Sequence, residues 1–235
     1  MPTTLEELKE KLNKIKAAGF IKTHRKNDTG IGKTLEDLLG IKENNLQTPD
    51  VGDIELKAKR IGSNSMLTIG TKSPLPRGTN SKLYSEYGYT DKIDGNIALH
   101  STVYGSRENP QSFKVVFEDN KLILKNKSNI DAYWPISVFD LLKAKSDKIL
   151  LILAETAGEQ KTLNEKFHFT EAYLLSGLNL DKFKSSIEND KLKIDIRIGI
   201  YKSGKKKGKP HDHGTGFRIN KRDYLNIFNK FEKII

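Results

Sequence analysis

Apolar positions along the chain change their period several times, and each change marks an element. Leu5, Leu8, Leu12 and Ile15 follow the helical repeat, so residues 4–18 read as an amphipathic helix. Thr4 with Glu7 forms a capping-box pair, and Gly19 supplies the stop. A polar loop occupies 23–32, and a short helix runs from about Lys33 to Leu39, ended by Gly40. Pro49-Asp50 leads into a strand near 53–60, and a second strand near 65–71 follows across the turn Gly62-Ser63-Asn64. Residues 72–98, rich in Pro, Gly, Asn and Tyr, read as irregular with one helix near 80–87. Strands are expected at 99–104, 112–118 and 121–126, the last two joined at Asp119-Asn120. A helix at 136–145 precedes the most buried-looking strand, 148–154, whose partner is expected at 163–169. A helix fits 180–189, strands fit 191–201 and 215–220, and a helix fits 221–232. The sum is a mixed α/β chain without repeats or a long linker.

Charge changes this picture. The 235 residues hold 41 Lys and Arg against 30 Asp and Glu, a net of +11, which points to a polyanionic partner. The excess is local: residues 191–235 carry 13 basic and 4 acidic side chains, and residues 1–190 carry 28 and 26. The densest stretch is Lys202-Ser203-Gly204-Lys205-Lys206-Lys207-Gly208-Lys209-Pro210. It reads either as a solvated loop or as a phosphate-contacting one, its glycines letting backbone N–H groups come close to phosphates. There is no cysteine, which excludes a disulfide scaffold, a thiol nucleophile, a thiolate zinc site and an iron–sulfur cluster. No apolar run approaches the ~18 residues of a membrane-spanning helix. The acidic, helical N-terminus is unlike a signal peptide, so a cytoplasmic protein without a membrane partner is expected.

The sharpest chemical signal is Pro49-Asp50-Val51-Gly52-Asp53-Ile54-Glu55-Leu56-Lys57. Residues two apart on a strand share a face, so Ile54, Leu56 and Ala58 turn to the core, and Glu55, Lys57 and Lys59 turn together to solvent or a cleft. Two carboxylates, Asp50 and Glu55, beside a lysine can hold a hard divalent cation that activates water and neutralises a phosphate. An ordinary amphipathic strand with an exposed Glu–Lys pair has the same alternation. Glu36, on the preceding helix, is either a third carboxylate of that site or a solvent-facing neighbour of Asp37. Gly30-Ile31-Gly32-Lys33-Thr34 lacks the first glycine of a phosphate loop, Asn27 standing there instead, so a nucleoside triphosphatase is rejected.

Near the C-terminus, Asp195 and Arg197 share a strand face, with Arg218 on the facing strand. Asp can accept from cytosine N4, and Arg can donate twice to guanine O6 and N7; the bland alternative is a surface salt bridge. His211 and His213 can bind a metal or hydrogen-bond to bases, and the absence of cysteine weakens the metal reading.

Taken in order, Gly30-Ile31-Gly32-Lys33-Thr34-Leu35-Glu36-Asp37-Leu38-Leu39, Pro49-Asp50 with Glu55-Leu56-Lys57, Leu67-Thr68 and Thr71-Lys72-Ser73-Pro74 resemble the MvaI/BcnI group of Type II restriction endonucleases. These are relatives of the mismatch-repair nickase MutH within the PD-(D/E)xK nucleases. Asp195-Ile196-Arg197-Ile198-Gly199, the lysine-rich loop, His211-Asp212-His213-Gly214-Thr215 and Phe217-Arg218-Ile219 resemble the MvaI branch in particular. The resemblance spans about residues 20–220 and implies a PD-(D/E)xK core, a mixed β-sheet flanked by helices, in two lobes that form a DNA-binding cleft. Residues 1–100 then belong mainly to a catalytic lobe, and 101–235 to a sheet-rich part with the recognition lobe. By position, Asp50 and Glu55 bind Mg²⁺, Lys57 assists the attacking water and Glu36 matches the helix glutamate of MutH-like sites. Asp195, Arg197, His211, His213 and Arg218 fall where such enzymes read bases, with Lys205, Lys206 and Lys207 on DNA beside them. The implied activity is Mg²⁺-dependent cleavage of double-stranded DNA at a short C/G-rich pseudopalindrome, CCWGG as the first reading. A monomer would cut one strand at a time, with a companion methyltransferase that forms no stable complex with it. The rivals are a partner-activated nickase and a non-catalytic DNA-binding module. RNA binding is disfavoured because no aromatic stacking platform is visible.

Overall fold

The computed structural model describes residues 1–43, 46–92, 95–201 and 204–235. In chain order its elements are α1 (Leu5–Ala17), β1 (Ile21–Lys22), α2 (Gly30–Leu39), β2 (Ile54–Arg60), β3 (Leu67–Thr71), α3 (Thr79–Tyr87), β4 (Tyr89–Thr90), β5 (Ile97–Val103), β6 (Lys114–Glu118), β7 (Lys121–Lys125) and β8 (Tyr133–Pro135). There follow α4 (Val138–Ser146), β9 (Lys148–Ala157), β10 (Lys166–Leu178), α5 (Leu180–Glu188), β11 (Leu192–Ile200), β12 (Pro210–Asp212), β13 (Gly216–Ile219), a 3-10 turn (Lys221–Asn226) and β14 (Phe228–Lys233). The mixed α/β class expected from the sequence holds. Among the described residues, no helix is long and apolar enough to cross a membrane.

The elements divide into two units: Met1–Ser65 with Lys143–Leu178 and Phe228–Ile235, and Met66–Leu142 with Asn179–Ile227. The internal division expected near residue 100 instead falls inside β5, within the second unit. The chain leaves the first unit after β2 and returns to it only with the end of α4 and β9, so proximity along the sequence misleads here.

The first unit is built on a sheet of order β1-β10-β9-β2, with β14 added to β10. β9 contributes a run of buried residues, Ile149 to Ala154, as a strand covered on both faces must. β2 lies parallel to it, Glu55 opposite Ile149 and Lys57 opposite Leu151. Leu8, Leu12 and Ile15 of α1 and Ile31, Leu35 and Leu39 of α2 join Ile54, Leu56, Phe167 and Phe169 in one core. α2 begins at Gly30, inside the stretch expected to be loop. There Thr34 Oγ1 donates to the Gly30 carbonyl at 2.8 Å and accepts from the His24 amide at 2.9 Å, tying the first turn down.

Two expectations fail in this unit. The strand partner of β9 does not stop at 169 but runs to Leu178, across a bulge between Phe169 and Glu171. Beyond the bulge the buried residues fall at Ala172, Leu175 and Leu178, a spacing that hides the strand from a search for alternation. Residues 221–232 are not one helix. Their apolar spacing is helical, but β10 has a free edge at 173–178, and pairing that edge with Phe228–Lys233 satisfies backbone groups of both segments.

The second unit holds a sheet of order β3-β13-β11-β5-β4, with β12 added to β11, and a separate sheet β6-β7-β8. The hairpin expected between β2 and β3 does not exist: β3 pairs antiparallel with β13 and β2 pairs with β9. The β6–β7 hairpin is as expected, its loop residues Asp119 and Asn120 at φ +47° and +58°, the left-handed pair that a tight two-residue turn requires. Ile194, Ile196 and Ile198 of β11 alternate into the core, while Lys193, Asp195 and Arg197 take the other face. Phe217 packs edge-on against Trp134, with ring centroids 6.1 Å apart.

Candidate active site and nucleic-acid face

The first cluster is made locally by one tight turn and one strand. Val51 and Ile54 exchange backbone hydrogen bonds of 3.0 and 2.8 Å, with Gly52 between them at φ +57°, a conformation that suits glycine. The turn brings Asp50 back alongside β2, where its Oδ2 accepts from the Leu56 amide at 2.8 Å. Lys57 Nζ donates to Glu55 Oε1 at 2.6 Å. Thus Asp50, Glu55 and Lys57, expected together from the sequence, are brought together.

Of the two settings the strand pattern left open, solvent or a cleft, Glu55 does not take the first: it is buried, 2% exposed. β9 pairs with this stretch of β2, Ile149 opposite Glu55, and Lys145 near the end of α4 reaches the carboxylate. Lys145 Nζ stands 3.7 Å from Glu55 Oε1 and donates to the Leu46 carbonyl at 3.2 Å. Nothing in the local pattern around Lys145 announced this. Burial pushes the Glu55 carboxyl above its ordinary pKa, and the ammonium groups of Lys57 and Lys145 pull it back only in part. Its second oxygen, Oε2, is buried and meets no hydrogen-bond partner among the described residues.

Glu36, on α2, is half-buried; that burial, then the nearby charge of Asp50, raise its pKa. Among the described residues, no group of three or more His, Cys, Asp or Glu is arranged to hold a metal ion, so Glu36 does not complete a three-carboxylate cage. The donors that do converge are two carboxylates. They suit a hard divalent cation of the Mg²⁺ kind, which binds through one or two carboxylates and takes its other ligands from water and substrate phosphate. An orphaned buried carboxylate oxygen is costly unless a cation or a donor meets it.

The second cluster lies on β11, β12 and β13. Arg197 and Arg218 both reach Asp195 Oδ2, at 2.9 and 2.7 Å, and Thr102 donates to Oδ1 at 2.9 Å. Asp195 is fully buried beneath them, 0% exposed. Its charge holds two arginines on one oxygen, while Thr102 takes the other. His211 stacks on Tyr201, with centroids 4.0 Å apart and planes 21° apart, and His213 lies 4.2 Å from His211. The His213 amide donates to the Arg197 carbonyl at 2.9 Å. The intervening Asp212 anchors this strand: its Oδ2 accepts from Ser73 Oγ at 2.6 Å and Asn80 Nδ2 at 2.5 Å, and its Oδ1 from the Gly214 amide at 2.8 Å. Among the described residues, no metal site forms around the two histidines.

The lysine-rich loop is the tip of the β11–β12 hairpin, in which Ile200 pairs with Pro210. Lys205, Lys206 and Lys207 are exposed there. Lys202 and Ser203, of the same expected loop, lie outside the described residues. Thr102, Ser73, Asn80, Asp212 and Lys145 escaped the sequence reading because each meets its partner from a distant part of the chain.

A model of the MvaI/BcnI restriction endonuclease family matches residues 9–228. Among solved structures, the complex of restriction endonuclease MvaI with cognate DNA substrate is 39% identical over 100% of both chains, with a TM-score of 0.87. Restriction endonuclease MvaI in the absence of DNA is 38% identical over 100% of this chain and 99% of that one, with a TM-score of 0.54. A comparison with curated proteins finds no match.

Proposed function

Because the chain belongs to the MvaI/BcnI restriction endonuclease family, and so is a Type II site-specific endonuclease, we propose that it hydrolyses double-stranded DNA at a short C/G-rich pseudopalindrome with Mg²⁺ as cofactor. CCWGG is the first candidate, because the MvaI-like segments 195–199 and 211–219 carry the base-reading side chains. The enzyme works as a monomer in the cytoplasm and cuts one strand at a time. A methyltransferase that protects the same sequence acts apart from it.

The observation that carries this reading is the buried Glu55, with Lys57 on one oxygen and, among the described residues, no hydrogen-bond partner on the other. Asp50 and Glu55 would hold the divalent ion. When bound, that ion neutralises phosphate charge and lowers the pKa of a coordinated water. Lys57 holds Glu55 Oε1 and presents its charge at the place where the phosphoryl oxygens gain negative charge. Asp50, tied to the Leu56 amide, is kept in register with Glu55. Glu36, whose carboxyl feels the charge of Asp50, would order a water at the edge of the site. Water attacks in line, the P–O3′ bond breaks, and the products are a 5′-phosphate and a 3′-hydroxyl. Arg197, Arg218, His211 and His213 read base edges in the major groove, while Lys205, Lys206 and Lys207 contact phosphates.

The purified protein, incubated alone with a fully sequenced plasmid and Mg²⁺, should yield linear fragments with ends at fixed positions. Glu55→Ala and Lys57→Ala should abolish cutting while binding to the same DNA persists in Ca²⁺. Ordinary cutting by either variant removes the assignment, and nicking that depends on an added protein favours the nickase instead.

A further inference from the structure

Three neighbouring strands place Thr102, Asp195 and Gly216 in one cross-strand row. Thr102 on β5 and Gly216 on β13 are the direct register partners of Asp195 on β11. Directly opposed residues share a sheet face. Arg218 starts one register step away, opposite Lys193, and Arg197 starts opposite His100. To reach Asp195, Arg218 lies back along its own strand, across Gly216. A Cβ built at Gly216 would stand 3.0 Å from Arg218 Nε, 3.5 Å from its Cγ and 3.7 Å from its Cδ. A side chain there would press on Arg218 Nε, which would have to give by a few tenths of an ångström, and would meet its Cγ and Cδ in ordinary contact.

The buried carboxylate explains why this path matters. An unpaired charge at that depth is strongly disfavoured, and three donors converge on it. Arg197 meets Asp195 through Nε at 2.9 Å and Arg218 through Nη1 at 2.7 Å, and each guanidinium carries five N–H donors.

We propose that Gly216 is a specificity-determining position. Its missing side chain lets Arg218 fold onto Asp195, and Asp195, fixed by Thr102, locks Arg197 and Arg218 as one preorganised pair for guanine edges. Asp195 and Thr102 are positioning residues, acting through the arginines. Holding long side chains in place before binding removes an ordering cost that would otherwise weaken discrimination. The inference rests on this face being the one that reads DNA.

The test starts by mapping wild-type cleavage on a sequenced plasmid. Short duplexes carrying the mapped site are then compared with duplexes in which each guanine in turn is replaced by 7-deazaguanine, which lacks N7. For at least one guanine the wild-type kcat/KM should fall about tenfold or more, the scale of a bidentate base contact. Gly216→Ala should melt like wild type, because the atoms met by the new Cβ belong to a flexible side chain. It should lose most of the wild-type penalty at that guanine, chiefly through a raised KM on the natural site. Thr102→Val should lose it as well and Thr102→Ser should restore it, which decides the matter if Gly216→Ala folds poorly. Fixed cutting by wild type with undiminished 7-deazaguanine discrimination in Gly216→Ala and Thr102→Val overturns this inference alone. Absence of fixed cutting by wild type overturns the endonuclease reading and this inference together.

Discussion

Lys145 Nζ lies 3.7 Å from Glu55 Oε1, the same oxygen that Lys57 Nζ holds at 2.6 Å. Burial raises the pKa of this carboxyl, and the charges of Lys57 and, more weakly, Lys145 oppose that rise. Removing Lys145 takes away one of them, so the Glu55 pKa must rise further. Lys145→Ala should therefore move the acid limb of the kcat/KM profile to higher pH and lower activity on the acid side by about tenfold, the scale of one pKa unit. Activity should recover as pH rises, whereas Lys57→Ala should stay inactive throughout. A pH–rate profile for the two variants checks this, and a uniform loss in Lys145→Ala at all pH values refutes it.

Arg60 and Glu165 form a doubly hydrogen-bonded ion pair in the first unit. Arg60 Nε and Nη2 donate to Glu165 Oε1 and Oε2 at 2.7 and 2.8 Å, and the Lys161 amide adds a third bond at 2.9 Å. Glu165 is buried, and its hydrogen bonds to Arg60 hold its pKa below the ordinary range. A carboxyl with a lowered folded-state pKa contributes stability above its unfolded pKa, about 4.3, and loses it as pH falls through the lowered value. Glu165→Gln leaves Arg60 without its anion and should cost about 3 kcal/mol near neutral pH. The gap from wild type should close on acidification below about pH 4. Urea unfolding at a series of pH values measures both parts.

What is legible in the sequence is what is local. Asp50, Glu55 and Lys57 sit within one turn and one strand, so their convergence follows from local geometry, and the alternation of Asp195 with Arg197 is likewise local. The burial of Glu55 is not, because it depends on the parallel strand β9 and on Lys145. Nor is the role of Asp195: its third donor, Thr102, lies 93 residues away, and Gly216 acts by having nothing to show. Helical spacing in Tyr224, Ile227, Phe228 and Phe231 suggests a C-terminal helix. The free edge of β10 outweighs it, since tertiary pairing overrides weak local propensity.

Asp212 ties the histidine-bearing strand β12 to Ser73 and Asn80 through bonds of 2.6 and 2.5 Å. Neither histidine is next to those partners in sequence, so this carboxylate adds a long-range tether to the strand pairing that presents both rings. Asp212→Ala should release β12 and weaken binding to the mapped site by about tenfold, a loss on the scale of the roughly 1.5–3 kcal/mol of a hydrogen bond to a charged group. Affinity for unrelated duplexes should stay near wild type, because phosphate contacts carry that part. Fluorescence anisotropy in Ca²⁺ with both kinds of duplex separates the two effects. Equal weakening on both would assign Asp212 to folding alone.

Lys205, Lys206 and Lys207 are exposed at the tip of the β11–β12 hairpin, and the loop is closed beneath them by Tyr201, whose amide donates to the Lys209 carbonyl at 3.0 Å and whose carbonyl accepts from the Gly208 amide at 2.9 Å. A loop of this kind offers charge without a fixed fork for base edges, so its lysines should act on phosphates. For every phosphate that a lysine no longer neutralises, the slope of log K against log salt should shrink by about 0.9. Replacing all three lysines by alanine should flatten that slope by up to about 2.7 and weaken specific and unrelated duplexes alike. The ratio of the two affinities should hold, since these side chains read no sequence. A salt titration of binding in Ca²⁺ gives slope and ratio together. A preserved slope with a lowered ratio would instead make the loop a reader of bases.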